Sequence, residues 1–390
     1  MPDLVVHQWG RLGDLLQTAI LLSRWKSQAG GRTVLIYDGR YSAVVKRIVS
    51  LDLGIPLDLR QIVQWSHSDK DCLLLPALNQ AIRDMQLARG GVHFVLSRTP
   101  AAGLLSSLLE PDESVGYTWT SGELREPTIL QEWLYGPNND PYPIHICDVW
   151  SKIVGLSCTD LPEDVLGIGR YKNTMAEGAA RILVFTDAGE SYRTPPIEWL
   201  ARLCSTLCRK QHFKITLVGT QTINKSDILS RFTAESPGRV TDLRGRTSLP
   251  ELLELSEAND IVIGADTGGL HLAAAAGCVP IGLYSGGASV FNTGPYCLDA
   301  FVLQNPAWND ADINAIEAAI RQRTDGKIHD GQAAPLPLWT PLRDDLGISY
   351  SHPLWNCRSR QDVLQLRETF NQTISNQQKQ TTNKADVVLS

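Results

Sequence analysis

The chain has 390 residues, 43% hydrophobic and 20% charged, which is ordinary globular material and enough for two domains with a core each. A formal net charge of −6 and a pI near 5.8 exclude a general nucleic-acid binder, because phosphate backbones need a concentrated cationic surface. With no basic and apolar leader, no apolar run of ~18 residues and eight cysteines lacking any CxxC pair, the expectation is a chain with free thiols, no signal peptide and no membrane span, placed in the cytoplasm.

Leu4, Val5 and Val6 predict a first strand, followed by a loop from His7 to Asp14. From Leu15 the apolar residues Leu15, Leu16, Ala19, Ile20, Leu22 and Trp25 recur at helical spacing up to the Gly30-Gly31 stop. Asp14 therefore stands at the entrance of the first helix, where aspartate is a favoured cap, and Gly10 and Gly13 open space beside its carboxylate. Strands over Thr33–Tyr37, Cys72–Leu75 and Val92–Leu96 alternate with helices over Tyr41–Val49 and Ile144–Val154, a doubly wound α/β pattern. Ligands of such sheets lie beyond the carboxyl ends of the strands, the edge that Asp14 occupies. The stretch from Gly116 to Tyr142, with Trp119, Trp133 and Tyr135, reads as a long surface loop, either touching an acceptor or simply packed. Gly167 to Gly178 reads as a linker.

The α/β plan then repeats. Arg181–Phe185 predicts a strand, Pro195-Pro196 starts a helix that runs through Lys210, and Lys214–Val218 predicts the next strand. Cys204 and Cys208 share a face of that helix and are expected in the core rather than on a metal. A helix over Leu249–Glu257 leads to the strand Ile261–Ile263, a glycine-rich turn from Gly264 to Gly269, an alanine-rich helix from His271 to Gly277 and the strand Pro280–Tyr284. Such a turn aims backbone N–H groups and the positive end of a helix dipole at one point, which makes it an anion site suited to a nucleotide diphosphate. Asp310-Ala311-Asp312 has a DxD form that can hold a divalent cation, but it opens the helix of Ile313, Ile316 and Ile320, where acidic residues complement the dipole. Beyond it lie an irregular Pro- and Trp-bearing segment and a helix over Arg360–Ile374. The polar tract after Asn376 is expected to be disordered.

Asp266-Thr267-Gly268-Gly269-Leu270-His271, the alanine run with Pro280, and Gly294-Pro295-Tyr296 resemble the nucleotide-sugar site of glycosyltransferase family nine, the bacterial heptosyltransferase family. Leu243 to Leu249, Pro195 to Trp199 and the Gly13-Asp14 helix start resemble further family segments. The resemblance implies a GT-B fold, two Rossmann-like domains facing across a cleft. It implies metal-independent, inverting transfer of a sugar, typically a heptose from an ADP-linked donor, to a lipopolysaccharide-type, lipid-linked or other glycan acceptor. On that basis Asp14 is the catalytic base, with Gly13 and Arg11 on the acceptor side. Thr267, Gly268, Gly269, His271 and Arg193 bind the donor while Asp266 orients the turn. A buried helix histidine is the lesser alternative for His271. The resemblance further implies no cofactor besides the nucleotide-sugar substrate; any membrane contact is expected to be peripheral, at the inner face, and the net charge argues against nucleic acid as a partner. A GT-B epimerase and a non-catalytic nucleotide-sugar binding protein are the alternatives.

This chain departs from the pattern in three places. Ser285-Gly286-Gly287-Ala288 replaces a Gly-Pro-Thr turn, Ser191-Tyr192-Arg193 replaces the usual lysine, and Thr220-Gln221-Thr222 stands where a ribose-binding glutamate is frequent. The expected layout is an acceptor domain over 1–170, a donor domain over 180–325, an extension over 326–375 whose helix crosses back to the first domain, and a tail over 376–390.

Overall fold

The computed structural model describes residues 2–58, 80, 82–136, 141–162, 164–167, 180–211, 213–220, 227–324, 338–353 and 357–388. The chain forms two compact units, one of Met1–Val165 with Asp345–Gly347 and Gln361–Ser390, the other of Leu166–Asp344 with Ile348–Arg360. The strand expected over Cys72–Leu75 and nearly all of the expected linker lie outside the described residues.

In the first unit β1 (Leu4–Gln8), α1 (Leu12–Gln28), β2 (Thr33–Asp38), the one-turn α2 (Ser42–Val45), β3 (Leu53–Leu57), β4 (Val92–Val95), α3 (Pro100–Leu108) and β5 (Glu113–Gly116) build a parallel sheet in the order β3-β2-β1-β4-β5. β1 is buried along its whole length, as expected of a central parallel strand covered on both faces. The order reverses between β1 and β4, so the loop after β1, which leads to Asp14, leaves the sheet at its switch point. The stretch expected as one irregular loop after Gly116 instead holds the antiparallel hairpin β6 (Thr118–Thr120) and β7 (Glu123–Arg125) and the helix α4 (Thr128–Leu134). The Ser121-Gly122 turn, with both residues at positive φ, closes the hairpin. α5 (Ile146–Ile153) follows, and its Asp148 forms a fully buried pair with Arg24 of α1 at 2.8 Å.

The second unit repeats the plan with β8 (Arg181–Phe185), α6 (Ile197–Gln211), β9 (Lys214–Val218), α7 (Ile228–Glu235), β10 (Val240–Asp242), α8 (Leu249–Ala258), β11 (Ile261–Ala265), α9 (Gly268–Ala275), β12 (Val279–Tyr284), the one-turn α10 (Val290–Thr293), β13 (Phe301–Gln304) and α11 (Asp310–Thr324). Its six parallel strands run β10-β9-β8-β11-β12-β13, with the switch point between β8 and β11. Ile182 and Val184 of β8 and Ile261 and Ile263 of β11 share one core with Leu203 and Leu207 of α6 and Ile316 and Ile320 of α11. Cys204 and Cys208 lie in that core, where burial pushes the Cys204 thiol up to about 12 and keeps it un-ionised.

A hairpin of β14 (Thr340–Asp344) and β15 (Gly347–Ser351) precedes the last helix, α12 (Cys357–Val388). α12 starts earlier than Arg360 and continues through the tract expected to be disordered after Asn376. No proline or glycine interrupts Cys357–Val388, and glutamine and lysine are good helix formers, so a nucleated helix extends at one hydrogen bond per residue. Arg367 on α12 is fully buried and donates to the Pro143 carbonyl at 2.8 Å, while Phe370 stacks on Tyr142.

Candidate functional site

Each sheet carries candidate residues at its switch point. In the first unit the chain leaves β1 at Gln8 and re-enters regular structure at Leu12, so Arg11 is the N-cap of α1 and Asp14 is the third helical residue. This corrects the expectation of a helix that starts after Asp14: Gly13, for all its low helix propensity, lies inside the first turn. From there Asp14 Oδ2 accepts from the Arg11 N–H at 3.0 Å, satisfying a donor at the helix end while the dipole favours the ionised carboxylate. Gly10 has no Cβ because one would lie 2.7 Å from Asp14 Oδ2 and 2.8 Å from Gln8 Oε1. Arg11 is exposed, and Gly13 and Asp14 are half-buried.

Below this loop, β1 and β4 bring two buried histidines together, with His7 Nε2 3.3 Å from His93 Nδ1. His93 Nε2 faces the carbonyls of Ala88 and Gly90 and so carries a proton, which leaves Nδ1 to accept. His7 must then donate from Nε2 and is neutral, in agreement with burial and the neighbouring His93 pushing its pKa from 6.5 to about 3.

In the second unit α9 begins at Gly268, with Thr267 as N-cap, three residues earlier than the alanine run suggests. Gly268 and Gly269 are therefore the first helical residues, whose N–H groups have no intrahelical acceptor. Gly269 has a packing duty as well, since a Cβ there would run into the Phe185 ring of β8. That close approach seats the helix N-terminus at the switch point beside the loop after β8.

Asp266 is the hub. Its Oδ1 accepts from His271 Nε2 at 3.2 Å, and its Oδ2 accepts from Thr293 Oγ1 at 3.1 Å and pairs with Arg193 at 3.5 Å. Burial opposes its ionisation, but the His271 hydrogen bond, the Arg193 charge and the Thr293 hydroxyl outweigh that and hold its pKa below the usual carboxylate value. Because an ionised carboxylate only accepts, His271 carries its proton on Nε2. Arg193 Nε and Thr267 Oγ1 are buried and have no hydrogen-bond partner among the described residues.

No sequence pattern marks Thr293, which directly precedes Gly294-Pro295-Tyr296. Tyr284 at the end of β12 donates its hydroxyl to the Thr293 carbonyl at 2.7 Å, and burial drives that phenol well above its usual pKa. Tyr350 of β15 donates to the Pro295 carbonyl at 2.7 Å and packs where a Cβ on Gly294 would stand. The departures from the family pattern have a local logic too. Gly286 and Gly287 both take positive φ, and Tyr192 lies over Gly286, so this turn needs glycine where another sequence has proline. Of the Thr220-Gln221-Thr222 stretch only Thr220 is described, and it donates its N–H and hydroxyl to Asp187.

The DxD sequence is a helix cap. Asp312 and Asn309 bond reciprocally, side chain to backbone, at 3.2 and 3.1 Å, and Asp310 pairs with Arg202 at 2.7 Å. Among the described residues no group of three or more His, Cys, Asp or Glu side chains could hold a metal ion. No described helix is long and apolar enough to cross a membrane.

Residues 171–318 match the model of glycosyltransferase family 9 (heptosyltransferase), a range that contains Arg193 and the Asp266 turn but not Asp14. No curated protein matches the chain. Among solved structures, the chain resembles Escherichia coli heptosyltransferase WaaC with ADP at 17% identity and a TM-score of 0.62, over 82% of this chain and 99% of that one. It also resembles E. coli ADP-heptose lps heptosyltransferase II at 14% identity and a TM-score of 0.59, over 84% and 99% of the two chains. A family 9 glycosyltransferase from Veillonella parvula is similar at 15% identity and a TM-score of 0.58, over 83% and 93%. Residues 171–318 thus carry a match to glycosyltransferase family 9, and the two Rossmann-like domains have the GT-B fold of these heptosyltransferase structures.

Proposed function

We propose that the chain transfers a sugar, a heptose from an ADP-linked donor, to a hydroxyl of a lipopolysaccharide-type acceptor, with inversion and without a metal. The observation that carries the donor half is the pair of partnerless buried groups, Arg193 Nε and Thr267 Oγ1, beside the free N–H groups of Gly268 and Gly269. A diphosphate satisfies all of them. Its charge grows as the sugar leaves, so a cation, a hydroxyl and fixed helix-end dipoles stabilise the transition state more than the ground state, the work a metal ion does elsewhere. Asp266 binds no phosphate in this reading. It holds Arg193, His271 and Thr293 in place.

Asp14 takes the proton of the acceptor hydroxyl while the acceptor oxygen bonds to the anomeric carbon and the nucleotide diphosphate departs from the opposite face. A carboxylate at a helix N-terminus stays ionised at neutral pH, and its weak basicity makes proton transfer late. The acceptor is a glycan on a lipid, met at the inner face of the membrane by an otherwise cytoplasmic protein.

The test is calorimetric ADP binding alongside a transfer assay. Thr267→Val and Arg193→Gln should each weaken ADP about tenfold, the usual value of a hydrogen bond to a charged group. Asp14→Asn should lower transfer by ~100-fold or more, as for loss of a general base, with ADP affinity kept. Full transfer by Asp14→Asn removes the base from the mechanism, and absence of ADP binding by the wild type removes the donor site.

A further inference from the structure

Consecutive parallel strands β8, β9 and β10 are joined by α6 and α7, and right-handed crossovers put both helices on one face of the sheet, where they pack side by side. Their outward stripes, Arg202 and Arg209 on α6 and Ile228, Arg231 and Phe232 on α7, line a groove of about 590 Å³ together with Glu235 and Asp310. This volume falls in the range of small-molecule sites.

The charges of the groove are unevenly used. Arg202 is committed, donating to Asp310 at 2.7 Å and to the Trp308 carbonyl at 3.1 Å. Arg209 and Arg231 are exposed and, among the described residues, make no ion pair and no side-chain hydrogen bond. Glu235 lies one turn beyond Arg231 on α7, yet no ion pair joins them. Two free guanidinium groups thus face the same groove on a chain whose net charge is −6. Ile228 and Phe232 are half-buried between them and the core, an apolar wall next to the cations.

We propose that this groove is a second binding site, distinct from the Asp266 turn, for a phosphate group carried on an apolar or aromatic body. The guanidinium forks of Arg209 and Arg231 match phosphate oxygens in a way an ammonium does not, and Phe232 with Ile228 receives the body. The same chemistry comes in two forms, a free phosphate ester and the headgroup of an anionic lipid, so the experiment carries an arm for each.

Phenyl phosphate is titrated calorimetrically into the full chain with the Asp266 turn saturated by ADP, and phosphatidylglycerol vesicles are compared with phosphatidylcholine vesicles by co-sedimentation. At least one phosphate source should bind, and Arg209→Gln/Arg231→Gln should weaken it tenfold or more. Arg209→Lys/Arg231→Lys should restore only part of the affinity. Phe232→Ser should weaken phenyl phosphate but not inorganic phosphate. These are surface positions, so thermal melting should match the wild type. The proposal is overturned if neither source binds, if phosphatidylcholine binds as well as phosphatidylglycerol and phenyl phosphate does not bind, or if the double glutamine variant binds like the wild type. ADP affinity is a separate readout: its loss in the wild type removes the proposed donor site and leaves this one standing.

Discussion

Replacing Asp266 separates the two things its carboxylate does. The side chain is only 11% exposed, accepts hydrogen bonds from His271 Nε2 and the Thr293 hydroxyl, and pairs with the charge of Arg193. Asp266→Ala strands all three. Breaking a buried charged network by removing one partner costs about 3–5 kcal/mol, and the 3.5 Å, part-exposed Arg193 contact argues for the lower end of that range. Asp266→Asn should cost far less, about 1–2 kcal/mol, because the amide oxygen can still accept from Thr293 and Arg193 while the amide N–H₂ donates to a His271 that has moved its proton to Nδ1. What Asn loses is the charge. The wild type should also lose the Asp266 contribution in acid: its folded pKa is depressed, so the stabilisation is complete above the unfolded carboxylate value of about 3.9 and disappears as pH falls through the folded one. Urea unfolding of the three proteins at pH 7, with ADP titration on each, measures the effect. If Asp266→Asn is as damaging as Asp266→Ala, the tautomer exchange is wrong. If Asp266→Ala costs under ~1 kcal/mol, the network is no more than a surface ion pair, and the hub is refuted.

Gly269→Ala should drive a methyl group into the Phe185 ring and destabilise the second unit by about 1–3 kcal/mol, and Phe185→Leu in the same chain should recover part of this; equal urea midpoints for Gly269→Ala and wild type would dismiss the contact. His7 stays neutral in the fold down to about pH 3, whereas the unfolded chain takes up a proton near pH 6.5, so stability should fall with acidification by about 2 kcal/mol between pH 7 and pH 5. His7→Gln, which can still donate to His93, should flatten that slope by this amount, and an unchanged slope would show that His7 is not the titrating group. Gly10→Ala should crowd the Asp14 carboxylate and lower transfer with ADP affinity intact, and steady-state kinetics beside calorimetry decide it.

The apolar runs of β1, β8 and β11 and the glycines after β11 are local signals, and they suffice to announce two doubly wound domains with a glycine-rich strand-to-helix turn, because strand propensity and turn chemistry act over a few residues. The sequence also singles out Asp14, which lies six residues beyond β1 in the first turn of α1, and the turn at Asp266, which directly follows β11. Helix starts were misplaced wherever glycine sits in a first turn, as at Gly13 and Gly268, since low propensity there is overridden by the cap and by packing against the sheet. The hairpin at Ser121-Gly122 was hidden by its short strands, and the length of α12 by a polar composition that resembles an unfolded tract.

What the sequence determined by itself is therefore the alternation of elements, the burial of Cys204 and Cys208 and the residue chemistry offered after β1 and β11. Tertiary structure alone decided that Arg193 and Thr293, 73 and 27 residues from Asp266, meet its carboxylate. It decided too that His7 pairs with His93 and that Arg209 and Arg231 share one groove. The physical reason is that strand order and helix crossover fix which distant residues become neighbours. Those contacts form only after long loops have closed, and no local preference along the chain encodes them.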